Sequence, residues 1–284
     1  MIIVVAGPTC VGKTKLSEHL SNLYDGIVIN ADAVSVYKDL NIGSAKPTLE
    51  EMSDKPHYMF DYKSVTEDFN VFDYQTEVRK IINENKNRNI ILVGGTGLYI
   101  NAALYDYKFL EKKDVDTDNL TTEELYNLAL EKDKNNNIDK NNRVRLINFI
   151  TSGSTNNGNK LLYDAIFIGL KADREVLYDK INQRVDIMFS NGLLEEVKNL
   201  YHLKNQSRVL NSAIGYKEVI SYLDNEITYE EMLDKIKQNS RKYAKRQFTW
   251  FNNKNKMTWF NTDYDNFNTT IDEVVKYVKE HKKG

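Results

Sequence analysis

Residues 7–14 read Gly7-Pro8-Thr9-Cys10-Val11-Gly12-Lys13-Thr14, the Gly-x4-Gly-Lys-Thr spacing of a phosphate-binding loop. The glycines let backbone N–H groups turn inward around an anion. The helix that follows points its positive end at the same anion. Lys13 adds a mobile positive charge, and the Thr14 hydroxyl is a candidate ligand for Mg2+. Pro8 and Cys10 sit inside the loop, with side chains expected to point away from the anion. The whole of 7–14 is therefore a candidate anion cradle.

Two further residues stand where they could act on that anion. Asp32 lies just past the apolar run Ile27–Ile29, and Thr96 just past Ile90–Val93, after Gly94 and Gly95. A carboxylate at Asp32 could serve as a general base, but it could equally cap a helix or partner Mg2+. Thr96 could contact a reacting group or cap the helix running through Leu98 and Tyr99. A hydrolytic nucleotidase usually ends a later strand on an acidic residue that holds Mg2+ and aligns water. Ile90–Val93 ends on Gly-Gly-Thr instead, and no Asn-Lys-x-Asp base-reading motif occurs. What remains is a transferase whose loop holds a donor.

These residues act together only if a sheet brings them to one edge. The runs Ile2–Val5, Ile27–Ile29, Ile90–Val93 and Ala165–Leu170 read as strands, with helical patterns between them. Leu16, Leu20 and Leu23 form one helical stripe, and Tyr74, Val78, Ile81 and Ile82 another. Strand–helix alternation implies an α/β fold: a P-loop NTPase-like parallel sheet flanked by helices, with ligands beyond the carboxyl ends of the strands. After Leu170 the pattern is helical nearly to Asn252, with stripes Leu177-Ile181-Val185-Met188 and Leu194-Val197-Tyr201. The core is expected over 1–104 and 143–284. Between them, 105–142 reads as a short inserted helical lobe, with ten acidic residues, including Glu111 and Asp114, against six lysines, including Lys112 and Lys113.

Composition narrows the classes further. A single cysteine leaves no disulfide or zinc–thiolate site and fits a cytoplasmic protein; four scattered histidines argue against a His-based metal centre. No stretch is long and apolar enough to cross a bilayer, and Ile2–Val5 is too short for a signal peptide, so no membrane association is expected. The formal net charge is −2, so any nucleic-acid surface must be local. One segment qualifies. Residues 235–251 hold Lys235, Lys237, Arg241, Lys242, Lys245 and Arg246, no acidic residue, and Tyr243, Phe248, Trp250 and Phe251 interleaved. A solvated basic face is the ordinary reading of such a run. Cations with aromatics among them also suit phosphate contact and base stacking.

Taken in order, the motifs resemble the tRNA dimethylallyltransferase (IPP transferase) family. "GPTCVGKT" (7–14), "NADAVSVYKDLNIGSAKP" (30–47), "HYMFD" (57–61), "VFDY" (71–74), "VGGTGLYI" (93–100), "INQRVDIMFSNGLLEEV" (181–197), "AIGYKEVI" (213–220) and "SRKYAKRQFTWF" (240–251) carry the likeness. The resemblance implies that dimethylallyl diphosphate, not ATP, occupies loop 7–14, with Lys13, Mg2+ at Thr14 and Arg241 on the diphosphate. It implies Asp32 as base toward the N6 of an adenosine beside the anticodon, with Thr96 near the reacting end. The partner would be a tRNA anticodon stem-loop, held at Asp32, Ala33, Val34, Ser35, Thr96, Arg184, Lys217, Lys242, Lys245 and Arg246 by a monomer. The chain departs from the family pattern in its short acidic insertion. It departs again at "NNRVRLINFITSG" (141–153), where Arg143 and Arg145 stand without the family's Arg-Ala-Leu-Glu. The expected RNA grip thus moves to 235–251. A small-molecule kinase with ATP in the same loop, and an enzyme prenylating free adenine nucleotides, are the rival readings; neither needs a basic-aromatic segment.

Overall fold

The computed structural model describes residues 1–109, 115–151, 158 and 160–282. Glu111, Lys112, Lys113 and Asp114 of the acidic insertion, and Ser152 and Gly153 of the motif after it, lie outside the described residues. Two compact units form, Met1–Leu104 with Tyr163–Gly284, and Tyr105–Leu162. The first opens with β1 (Ile2–Ala6), α1 (Lys13–Leu23), β2 (Gly26–Asn30), β3 (His57–Tyr58), α2 (Val71–Glu84), β4 (Asn89–Gly94) and α3 (Gly97–Leu104). The second holds α4 (Thr122–Lys132) and α5 (Arg143–Thr151). The chain then returns to the first unit through β5 (Ala165–Lys171), α6 (Arg174–Ser190), α7 (Leu193–Leu200), α8 (Tyr216–Leu223), α9 (Tyr229–Lys254), β6 (Thr258–Asn261) and α10 (Phe267–His281).

The sheet runs β3-β2-β4-β1-β5-β6, and every pairing in it is parallel. β1 and β2 are buried throughout and β4 almost so, which their β-branched sequences fit: a parallel strand covered by helices on both faces has no polar side. Ile3, Val5, Val28, Ile91 and Ile168 from the strands pack with Leu16 and Leu20 of α1 and Val274 of α10 in one core. The order matters for function. β2, β4 and β1 are neighbours, so the loops after Ala6, Asn30 and Gly94 emerge side by side at one edge.

The four expected strands are present. β3 and β6 were not expected: they are short, half-buried edge strands without a long apolar run. Leu23 is exposed in the last turn of α1, and the buried stripe of α7 is Leu193-Val197-Leu200, so Leu194 is off the core face. The inserted unit does not stop at 142. It reaches Leu162, because α5 supplies Leu146 and Ile150 to a small core with Leu125 and Ala129 of α4. Among the described residues, no helix is long and apolar enough to cross a membrane.

Candidate active site

The phosphate loop joins β1 to α1 through backbone that only its sequence permits. Gly12 stands at φ +83, just before the first turn of α1, and no side chain caps that helix. Asn70, Thr121, Asp173 and Thr228 side chains accept the first N–H groups of α2, α4, α6 and α9, while α7 and α10, like α1, begin without such a cap. The open start of α1 leaves donors free for an anion. Lys13 Nζ folds over the loop and donates to Pro8 O at 2.6 Å. Burial and the positive charge of Arg184 lower the Lys13 pKa to about 8, while Asp32 and Cys10 oppose the fall. A cation so placed gains most from an anion brought beside it.

Arg184 reaches this loop from α6. Its guanidinium donates to Thr9 Oγ1 at 3.1 Å and contacts Cys10 Sγ at 3.7 Å. The sequence placed Arg184 on RNA and Arg241 on the diphosphate. The structure puts Arg184 at the loop, and engages Arg241 with Asn182 Oδ1 of α6 at 2.6 Å. The Cys10 thiol is half-buried between Thr9 and Arg184.

Asp32 and Thr96 follow neighbouring strands, and Thr96 bonds both residues flanking Asp32: its Oγ1 accepts from Ala33 N and its N–H donates to Ala31 O. Asp32 Oδ1 accepts from the N–H groups of Val34 and Ser35, at 2.9 and 3.2 Å, and Thr96 Oγ1 accepts from Ala33 N at 3.1 Å. One carboxylate oxygen therefore shapes the turn, and among the described residues none donates to Oδ2. The capping and base readings of Asp32 need not compete. Ser35 is buried, with its N–H spent on Asp32.

Gln247, overlooked in the sequence, ties this edge together. Its Oε1 accepts from Thr9 N at 2.9 Å and its Nε2 donates to Gly95 O at 3.1 Å. Any side chain at position 95 would strike it, since a Cβ there would lie 2.0 Å from Gln247 Nε2. One turn earlier in α9, burial and the Asp32 charge push the Tyr243 phenol well above its usual value; hydrogen bonding with Thr96 and Gln247 pulls it the other way. Burial, then Tyr37 and Asp32, likewise raise Tyr99, which stacks on Tyr74 with centroids 4.1 Å apart. The carboxylate thus stands against an aromatic wall. The readable signal was the four-residue step from Tyr243 to Gln247 within a basic helix.

Glu196 of α7 fixes the loop beyond Asp32. It accepts from the consecutive N–H groups of Asn41, Ile42 and Gly43 and from the Tyr216 hydroxyl at 2.6 Å. Lys46 closes the same loop on Tyr37 O and Asp61. Lys242, Lys245 and Arg246 are exposed on the outer face of α9. Lys217 lies apart from the loop on α8, beside Glu218 in a polar hollow with Lys235 and Asn239.

Among the described residues, no group of three or more His, Cys, Asp or Glu side chains could hold a metal ion. Mg2+ needs no such cage when phosphate oxygens and water complete its octahedron. The Thr14 hydroxyl, at the helix start and bonded to no described residue, fits that donor set.

Sheet order and loop place the chain among the phosphate-loop α/β proteins. More particularly, it belongs to the IPP transferase family, whose sequence profile matches residues 35–254. A Bacillus anthracis tRNA dimethylallyltransferase is 42% identical over 304 residues, covering 98% of this chain and 95% of that protein. The crystal structure of the Bacillus halodurans tRNA isopentenylpyrophosphate transferase superposes with a TM-score of 0.76 at 37% identity, over 98% of this chain and 95% of that one. A eukaryotic dimethylallyltransferase, captured acting on tRNA, gives a TM-score of 0.85 at 25% identity, over 98% of this chain and 78% of the other.

Proposed function

We propose that this chain, as a monomer, transfers the dimethylallyl group of dimethylallyl diphosphate to the N6 of the adenosine beside the anticodon of tRNA. The observation that carries the reading is the placing of Asp32 and Thr96 after adjacent strands, tied through Ala31 and Ala33, at the same sheet edge as a phosphate loop whose helix has no side-chain cap. Family membership and the names of its relatives support the group and the acceptor.

In this reading the loop amides of 10–14, Lys13 and Arg184 hold the diphosphate and stabilise the charge it gains on leaving, the Thr9 amide being held by Gln247. Mg2+, when bound at Thr14, would neutralise part of that charge. The adenine N6 attacks the allylic carbon as the carbon–oxygen bond to diphosphate breaks. An exocyclic amine is a weak nucleophile, so its proton must leave as the bond forms or after it; Asp32 takes it on Oδ2 while Oδ1 keeps the turn. Thr96, itself fixed by Ala33, orients the reacting end. The aromatic wall of Tyr99 and Tyr243 suits an apolar five-carbon group and a flipped-out base. The test is incubation with bulk unmodified tRNA and radiolabelled dimethylallyl diphosphate. Label should enter RNA without ATP being consumed. Label entering free adenine nucleotide, or tRNA-stimulated ATP turnover, would contradict the reading.

A further inference from the structure

A phosphate loop poses a problem that its own sequence does not solve. If its N–H groups face an anion, its carbonyls must face the protein and find donors there. Two of these carbonyls are satisfied from the far end of the chain. Thr262 Oγ1 donates to Val11 O at 2.9 Å, and the Tyr264 hydroxyl donates to Cys10 O at 3.0 Å. Both residues follow β6, at the sheet edge, and lie outside the stretch 35–254 that the family profile matches.

The surroundings make this contact a brace. Thr262 is buried, and its own N–H donates to Lys171 O at the end of β5, so its position is set by the sheet. The Tyr264 ring lies under Lys180 Nζ, 5.4 Å from the centroid. Lys180 is one helical turn before Arg184, so the same face of α6 covers Tyr264 and reaches Thr9. A little further on, Phe267 fills the space over Gly12: a Cβ at Gly12 would lie 2.3 Å from its ring. Burial pushes the Tyr264 phenol up to about 12, so it stays a donor across the neutral range.

We infer that Thr262 and Tyr264 are positioning residues for the donor diphosphate: they hold the Cys10 and Val11 carbonyls outward so that the loop's N–H groups stay turned toward the ligand. The inference rests on the proposed reading for the identity of the donor, but not for the geometry of the loop. Preorganised donors bind an anion without first reordering, so removing the brace weakens diphosphate binding; because the same N–H groups meet the charge of the leaving diphosphate, kcat falls with it, while tRNA binding is left alone.

The experiment compares Tyr264→Phe, Thr262→Val, the double variant and Thr262→Ser. Binding of inorganic diphosphate with Mg2+ is measured by calorimetry, beside KM for dimethylallyl diphosphate, KM for tRNA and kcat. Removing two ordinary hydrogen bonds should weaken diphosphate binding and raise the donor KM by about tenfold in the double variant. The tRNA KM should stay within about twofold, and Thr262→Ser should behave as the parent. Unchanged diphosphate binding would overturn the inference, as would tRNA and donor KM rising together. If the parent chain transfers no label to RNA, the functional reading fails, while the diphosphate titration still decides this one.

Discussion

The two faces of α9 differ in how firmly their side chains are held. On the inner face, Gln247 is buried and hydrogen-bonded at both ends, to Thr9 N and Gly95 O, and Tyr243 is hydrogen-bonded with Thr96 and Gln247 within reach of the Asp32 charge. On the outer face, Lys242 bonds Gln238 in the next turn back, Arg246 lies over the Tyr243 ring, and among the described residues neither Lys242 nor Lys245 makes an ion pair. A reaction centre must be fixed before its ligand arrives, because misplacement costs rate. A surface for a polyanion needs charge more than it needs place, because phosphate neutralisation dominates affinity. On the proposed reading one helix does both, with its period of 3.6 residues separating the tasks.

The comparison breaks most visibly at Asp32. Asp32→Asn keeps an acceptor for the Val34 and Ser35 amides but removes the base. Turnover should fall by roughly 10²–10⁴ with tRNA affinity nearly unchanged, read by single-turnover label transfer and a binding titration. Near-parental turnover would leave Asp32 with the turn alone. Next comes the contrast between two arginines. Arg184→Gln should raise the donor KM by about ten- to a hundredfold, the worth of a charge-assisted hydrogen bond. Arg241→Gln, parted from Asn182 and not from the loop, should change it far less.

The outer face gives a smaller effect with a different signature. Lys242→Ala with Lys245→Ala should weaken tRNA binding by about tenfold near physiological salt. The slope of log affinity against log salt should fall by ~0.7–0.9 for each phosphate no longer neutralised. Lys132→Ala is the contrasting variant in the inserted unit. There the ammonium donates to the carbonyls of Phe149 and Ile150, closing the end of α5, so the change should lower the stability of that unit more than it changes the salt slope. The smallest effect is a pH dependence. Lys13 has a folded-state pKa depressed to about 8, below its unfolded value. Free of ligand, the fold therefore gains stability as pH rises from about 8 toward the unfolded value, since the unfolded chain binds the extra proton there. Diphosphate affinity moves the opposite way, falling by at most about tenfold per pH unit above 8 as the cation is neutralised. Calorimetric titration of inorganic diphosphate from about pH 7 to about pH 9.5 reads it.

Much of the inner face was legible because backbone geometry restricts the residues that can serve it. Only glycine tolerates the turn at Gly12, so the loop announced itself, and the apolar runs at β1, β2 and β4 placed Asp32 and Thr96 at one edge. What stayed hidden was the set of long-range partners. Arg184, Gln247, Thr262 and Tyr264 come to the loop from α6, α9 and the segment after β6. No local pattern marks a side chain whose task is to meet an atom some two hundred residues away. The edge strand β6 was missed for a related reason: four half-buried residues carry no clear period. The end of the inserted unit was misplaced because α5 is amphipathic only toward α4, and its partner cannot be read from its own sequence.

The division of α9 is tested most directly by crossed steady-state kinetics on two variants of that helix. Gln247→Ala is set against the Lys242→Ala, Lys245→Ala pair, with dimethylallyl diphosphate and tRNA varied in turn. Gln247→Ala should alter kcat and the donor KM and leave the tRNA KM near the parent value. The lysine pair should raise the tRNA KM and leave the donor KM and kcat near theirs. If both variants raise the tRNA KM alike, or the lysine pair lowers kcat at saturating tRNA, the faces do not divide donor from RNA and the account is wrong.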